Sequence, residues 1–429
     1  MPKNDSTKAN ADDPPGNFAE RTGAPDSPSS PTDAETHQHP PARGPLSEVA
    51  RLFLKLGVIA FGGPAAHIAM MEDEVVTRRK WIERQHFLDL VGATNLIPGP
   101  NSTEMTMHVG YERAGGSGLV VAGTCFILPA VLITAVFGWL YVEYGTLPEV
   151  EPFLYGIKPA VIAVILGAVW RLGSSAVKGW RLAVLGVASA VVVLAGVGEI
   201  LALFAGGILG TLWLRSAGYD SSRTASRFVP ILFLQDAGTS AGGAAAGAAA
   251  GVAAGVSLWK LFLFFLKVGA VLYGSGYVLV AFLEGGLVED YGWLTQAQLL
   301  DAIAIGQFTP GPVLSTATFI GYILEGVPGA AVATIGIFLP SFFFVLILNP
   351  FIPKLRQSIW LSAFLDAVNV VAVALMVAVT IQLGVSTLIT WQAWLIAALA
   401  AVAVVKFRIN AAWLVLGGGV LGRLLLEIG

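Results

Sequence analysis

Lys55 and Lys267 each stand inside an apolar run, Phe53-Leu54-Lys55-Leu56-Gly57 and Phe265-Leu266-Lys267-Val268-Gly269. An ammonium at membrane depth costs on the order of 2.5 to 3.5 kcal/mol on insertion scales, so it persists where it meets an anion or snorkels to the interface. A glycine break follows each lysine, at Phe61-Gly62-Gly63-Pro64 and at Tyr273-Gly274-Ser275-Gly276. Glycine lets backbone approach a ligand, and a helix that restarts after a break aims free amides and a positive dipole end at the gap. Close helix packing is the other use of such glycines in a membrane. A second pair of breaks, Pro98-Gly99-Pro100 and Pro310-Gly311-Pro312, follows Asn95 and Gln307, with hydroxyls behind at Ser102, Thr103, Ser315 and Thr316. Amides and hydroxyls beside opened backbone can replace the hydration shell of an oxyanion, or satisfy the backbone groups that proline frees. The expected binding set is Lys55, Gly62, Gly63, Asn95, Pro98, Gly99, Pro100, Lys267, Gly274, Gln307 and Gly311.

Four acids or bases are candidates for proton coupling. Asp89 and Asp301 stand at equivalent positions after leucine, where a desolvated carboxylate could relay protons or, alternatively, cap a helix N-terminus. Glu104 and His108 lie one helical turn apart in the first half only. His67 is a lone histidine for which packing is the expected role, and His37 and His39 lack further ligands at metal-binding spacing. No cofactor is expected. The single cysteine, Cys125, has no partner for a disulfide and reads as a packing residue.

These residues recur because the chain is written twice. Beyond the lysines and breaks, Trp81 matches Trp293 and Leu88-Asp89 matches Leu300-Asp301 at one constant offset. After one extra residue in the first copy, Gly115, Gly118 and Leu128-Pro129 match Gly326, Gly329 and Leu339-Pro340. Tandem copies of a glycine- and proline-punctuated apolar unit suit a transporter whose site lies where the repeats meet.

With 55% hydrophobic and 12% charged residues and a mean hydropathy of +0.73, the chain is a polytopic, all-α membrane protein by composition. A net charge of −3 gives no support to nucleic-acid binding. Residues 1–45 read as a disordered tail without a removable signal peptide, 46–215 as the first repeat, 216–256 as an Ala/Gly-rich linker and 257–429 as the second repeat. Prolines remove amide donors, so 87–109 and 298–322 are expected to be broken or re-entrant. Arg78, Arg79, Lys80 and Arg84 fill a loop whose counterpart holds Glu284, Glu289 and Asp290. The loop with Arg171, Lys178 and Arg181 matches a base-free one, whereas Lys406 and Arg408 match the base-free turn at Gly198-Glu199. Because cytoplasmic loops collect Lys and Arg, the copies should be inverted. That arrangement predicts five spans and one re-entrant segment per copy, about ten spans in all, with both termini outward.

The paired Phe-Leu-Lys-x-Gly helices, Phe61-Gly62-Gly63-Pro64, Arg78-Arg79-Lys80-Trp81 and the doubled Pro-Gly-Pro resemble the chromate ion transporter family in its long, two-domain form, over residues 46 to 429. The resemblance implies a multi-pass protein of the bacterial inner membrane that exports chromate, recognised much as sulfate is, and draws on the proton gradient. It implies chromate, sulfate, protons and the lipid bilayer as partners, and a homodimer as an assembly to test. The second copy departs from the pattern, with Gly274-Ser275-Gly276 for Gly-Gly-Pro and an acidic first loop. A sulfate transporter of the same fold is the alternative reading. A membrane-embedded enzyme acting on lipid phosphates is a remote one, since only Glu104 and His108 approach an acid–histidine cluster. No Gly-rich loop ending in Gly-Lys-Ser/Thr occurs, so energy should come from an ion gradient.

Overall fold

The computed structural model describes residues 44–61, 63–216, 256–273, 276–349 and 358–428. The expected tail before residue 44, the linker between 217 and 255, and both Gly62 and Gly274 lie outside the described residues. Every regular element described is helical.

Helix α1 (Leu46–Ile59) is too short to cross. Its 14 residues rise about 21 Å, against a hydrocarbon core of about 30 Å. After the break at 60–63, α2 (Pro64–Glu72) and a π turn (Asp73–Arg78) bring the chain back to the face it left. The return is fixed by Arg113, which pairs with Glu48 at the start of α1 (2.9 Å) and stacks over Trp81 in the loop beyond the π turn (5.0 Å). A second hairpin follows. Helix α3 (Arg84–Thr94) descends to Pro98-Gly99-Pro100, and α4 (Asn101–Tyr144) restarts and climbs back until Glu112 faces His86 at 3.4 Å.

At Ala114 and Gly115 α4 reverses, with φ of 69° at Gly115. Gly110 and Gly118 press together there, so that a Cβ on either would strike the other's carbonyl. Residues eight apart in a straight helix would be about 12 Å distant. The remaining stretch, 116–144, rises about 43 Å and crosses the molecule. Helices α5 (Glu151–Ala176), α6 (Trp180–Leu194) and α7 (Glu199–Ser216) then run back and forth.

The second copy repeats this path. Helix α8 (Leu258–Val271) leads to a 3₁₀ turn (Gly276–Val278), α9 (Leu279–Leu283) and a π turn (Glu284–Asp290). Next come α10 (Gln296–Phe308), a 3₁₀ turn (Val313–Ser315) and α11 (Thr316–Leu348), which reverses at Glu325 and Gly326. Helices α12 (Ile359–Thr387), α13 (Trp391–Phe407) and α14 (Ala411–Ile428) complete it. Apart from Gly63, whose counterpart lies outside the described residues, even the left-handed residues pair by position: Lys80 with Gly292, Gly99 with Gly311, Gly115 with Gly326, and Gly196 with Arg408.

The copies are inverted. The end of the long crossing in α4 carries Tyr141, which donates to Asp301 at 2.9 Å, and the start of α7 sets Glu199 against Gly285, so the second pair of hairpins enters from the face opposite the first. Arg78, Arg79, Lys80, Arg84, Arg171, Lys178, Arg215 and Arg408 gather on the first face, tied across copies by Lys178–Asp366 (2.6 Å) and by Arg215 over Trp360 (5.0 Å). Among the described residues each copy has two re-entrant hairpins, one at its glycine break and one at Pro-Gly-Pro, where the sequence suggested one. The difference comes from the glycine breaks, which turn the chain back as sharply as the Pro-Gly-Pro breaks do. The start of α1 lies on the basic face and α14 ends on the other, where Arg423 stacks over Phe153 at 5.3 Å, so the described ends do not share a face.

Among the described residues, five helical stretches are long and apolar enough to span a bilayer: Asn101–Tyr144, Glu151–Ala176, Glu199–Ser216, Val313–Leu348 and Ile359–Thr387. Buried α12 packs on α5, α6 and α7, while Leu201, Leu209, Val385 and Trp413 point outward as a lipid-facing surface would. Small residues set the closest approaches; Gly156 of α5 lies against Gly418 and Gly422 of α14.

Candidate functional site

The four hairpin tips meet in the middle. The Gly99 N–H donates to the Leu272 carbonyl at 2.7 Å, and the Gly311 N–H donates to the Ala60 carbonyl at 2.8 Å. These are matching positions of the two copies, so each Pro-Gly-Pro break is closed by the other copy's glycine break. Both bonds satisfy backbone that has no helical partner, where an unsatisfied group in a dry environment costs several kcal/mol. Helical segments restart here at Pro64, Asn101, Gly276 and Val313, and a small enclosed void is lined by Pro64, His67, Pro100, Ser102, Gly276 and Tyr277 among others. Their amide ends bring partial positive charge to one point.

A polar cavity of about 220 Å³ adjoins this void, sharing His67 and Tyr277 with it. Gly63, Gln307 and Gly311 line its inner part, and the exposed Arg171 and Arg408 line it on the basic face. No acidic side chain lines it among the described residues. A second cavity, about 290 Å³, holds Asn95, Asn101, Lys178, Asp366 and Asn369. On the opposite face a groove of about 570 Å³ runs past Tyr155, Lys158, Gln296 and Thr390.

Buried polar atoms without a protein hydrogen-bond partner cluster around the tips: Thr103 Oγ1 and Ser315 Oγ at equivalent positions, His67 Nδ1, and Gln307 Nε2. Since buried polar groups are nearly always paired, such a group marks where a further partner belongs.

The expected residues divide. Gly63, Gly99, Pro100, Gln307 and Gly311 come together at the crossing. Asn95 is near it but turned to the second cavity, donating to the Val91 carbonyl at 3.2 Å and accepting from Asn101 at 2.8 Å. The lysines are elsewhere. Lys55 bonds Glu74 at 2.6 Å, with its side chain half exposed, and Lys267 lies within electrostatic range of Glu199. Each therefore has a carboxylate near it, and neither lines the cavities above.

Glu104 is fully buried and packs with Ser341 against Gly99. His108, also buried, has Nδ1 at 3.0 Å from Asn349 Oδ1. Asp301 accepts from Tyr141 with Lys158 4.0 Å away, whereas Asp89 is 3.5 Å from the Gln85 amide on an exposed surface. Neither aspartate is a cap: α10 is capped by a Thr295–Gln298 box, and α3 starts at Arg84 behind Glu83. His67 does more than pack, since its ring bonds the Ala60 carbonyl at 3.0 Å and borders the cavity. Arg171 and Arg408 stood in the sequence only as orientation signals; nothing local there shows that α5 and the C-terminal cap of α13 bring them to one cavity.

The chromate transporter family model matches residues 47–211 and again 259–423, one match to each structural repeat. The chain belongs to the chromate transporter family. A chromate transport protein of Pseudomonas aeruginosa is 33% identical over 92% of this chain and 96% of its own length. One of Cupriavidus metallidurans is 30% identical over 88% and 92%, and a probable chromate transport protein of Synechococcus elongatus 31% identical over 82% and 88%. No solved structure matches the chain. In this chromate transporter family member each family match begins in the first helix of a structural repeat and ends within its last, α7 or α14, so family unit and structural repeat correspond.

Proposed function

We propose that this protein is a secondary transporter that exports chromate across the bacterial inner membrane, draws on the proton-motive gradient and so confers chromate resistance. One observation carries the reading: four hairpin tips, two from each face, close on one another through Gly99–Leu272 and Gly311–Ala60 beside an acid-free cavity holding two arginines. Inverted hairpins joined at a midpoint can part on either face in turn, which is what alternating access requires. The basic face is the cytoplasmic one by the positive-inside rule. With the cytoplasm negative, the potential drives an anion outward, by about 2.3 kcal/mol per charge per 100 mV.

Glu104 is the leading candidate for coupling. A charge at that depth is costly unless a proton or a cation accompanies it, and the residue rests on the glycine whose amide closes the crossing. His108 lies one turn further along, and Asp301 lies on the opposite side beside Tyr141 and Lys158. Lys55 acts in this scheme by tying α1 to the π turn after α2 through Glu74.

Expression in a chromate-sensitive bacterial host should lower cytoplasmic chromate and raise tolerance to it. Unchanged accumulation, in cells where the protein is shown to reach the membrane, would oppose chromate as cargo and favour sulfate or another oxyanion on the same fold.

A further inference from the structure

The cavity on the basic face has a chemical asymmetry that bears on which oxyanion it accepts. The Ala60 carbonyl, an acceptor only, takes one hydrogen from Gly311 N–H at 2.8 Å and lies 3.0 Å from His67 Nε2, so Nε2 carries the imidazole hydrogen. In the neutral ring Nδ1 is then a bare lone pair. It is buried without a protein partner, in a residue 2% exposed whose ring is held edge-on by Phe126 at 5.7 Å. Gln307 is oriented in the opposite sense. Tyr277 donates its hydroxyl to Gln307 Oε1 at 3.2 Å while meeting the Arg171 side chain, which leaves the Gln307 Nε2 donors buried and unspent. Arg171 and Arg408 supply charge at the same cavity; with Tyr277 and His67 they are its titratable or charged groups among the described residues, and Glu104 packs instead on Gly99.

Resting on the transport reading above, we propose that this cavity, once it opens onto Gln307 Nε2 and His67 Nδ1, which are sealed beneath its wall here, binds a tetrahedral oxyanion carrying one proton, with Arg171 and Arg408 opposing its charge, Gln307 Nε2 donating to one oxygen, and His67 Nδ1 accepting the hydrogen of another. A fully deprotonated dianion would turn an oxygen lone pair against Nδ1. The cavity therefore favours an oxyanion whose last proton leaves near neutral pH, as hydrogen chromate's does, over sulfate, which holds none there. The proton stays shared between oxygen and imidazole, so one accompanies each monoanion. The membrane potential still drives that monoanion outward.

The test is equilibrium binding of labelled chromate, with sulfate as competitor, to the purified full-length protein in lipid nanodiscs, alongside uptake by inverted vesicles. Arg171→Gln, and Arg408→Asn at a left-handed position that asparagine tolerates, should each weaken chromate binding at least about tenfold, the usual loss for a charged hydrogen-bond partner. The isosteric Gln307→Glu should weaken it further through like-charge repulsion. His67→Phe, which keeps an aromatic ring on Phe126, should reduce the preference for chromate over sulfate and flatten the loss of chromate affinity as pH rises. His67→Gln, which retains an acceptor, should preserve more of both. Wild-type chromate uptake combined with wild-type affinity in both arginine variants would overturn the proposed site. An unchanged chromate-to-sulfate preference and pH profile in His67→Phe would overturn the protonated ligand. Absence of any chromate uptake by the wild type would instead remove the transport reading on which the site rests.

Discussion

At the scale of single residues, the chemistry rests on groups whose partners are specified by the fold. Lys55 shows how far sequence reasoning reaches. Its depth in an apolar helix and its repetition at Lys267 pointed to an anion, and the anion the structure supplies is the Glu74 carboxylate at 2.6 Å. Glu74 also bonds Arg79 at 3.1 Å, so it gathers the start of the basic loop onto the hairpin. Lys55→Gln should therefore leave substantial chromate flux, with a stability loss within about 1 kcal/mol because the lysine is half exposed. Flux and thermal unfolding measured on the same sample check this; complete loss of flux with intact protein would return Lys55 to the binding site. Glu104 should be far less tolerant. Glu104→Gln preserves shape against Gly99 and Ser341, and should leave folded protein whose flux no longer responds to the pH gradient. An unchanged pH response would move coupling to Asp301 or His108.

At the scale of elements, the breaks explain themselves only in pairs. Proline and glycine made the Pro-Gly-Pro segments legible as re-entrant, because the chain there cannot complete helical hydrogen bonds. The glycine breaks after α1 and α8 were legible as openings but not as reversals. What reverses them is the partner copy, since the Ala60 and Leu272 carbonyls are taken up by Gly311 and Gly99 across the molecule. Those contacts link residues far apart in the chain, and no local pattern encodes them. The reversals within α4 and α11 depend on Gly115 and Gly326 at φ 69° and 62°. Gly115→Ala should destabilise by about 1 to 3 kcal/mol, as forcing a side chain into the left-handed region does. Urea or thermal unfolding in detergent measures it, and an alanine without effect would mean the reversal is not held as described.

At the scale of the whole molecule, repetition and loop charge revealed most of the architecture from sequence: all-α, two copies, opposite orientations. The hairpins at the glycine breaks were not legible, because short apolar helices ending in glycine look like spans until their ends are seen to return to one face. The bilayer adds a direct check on inversion. With Cys125 replaced, a cysteine at Arg79 should be shielded from an impermeant thiol reagent in intact cells and one at Glu289 should react; equal labelling of the two would contradict opposed hairpins.

The central claim, that opposed hairpins crossing at Gly99 and Gly311 carry chromate from the basic face to the other, is tested most directly by flux. Inverted membrane vesicles expose the basic face to the medium, and an interior-positive potential should drive labelled chromate inward. The expected result is accumulation that collapses when the potential is dissipated and is lost in Gly311→Val, where a side chain would press on Ala130 and distort the bond to Ala60. Chromate uptake indifferent to the potential, or undiminished in folded Gly311→Val protein, would contradict it.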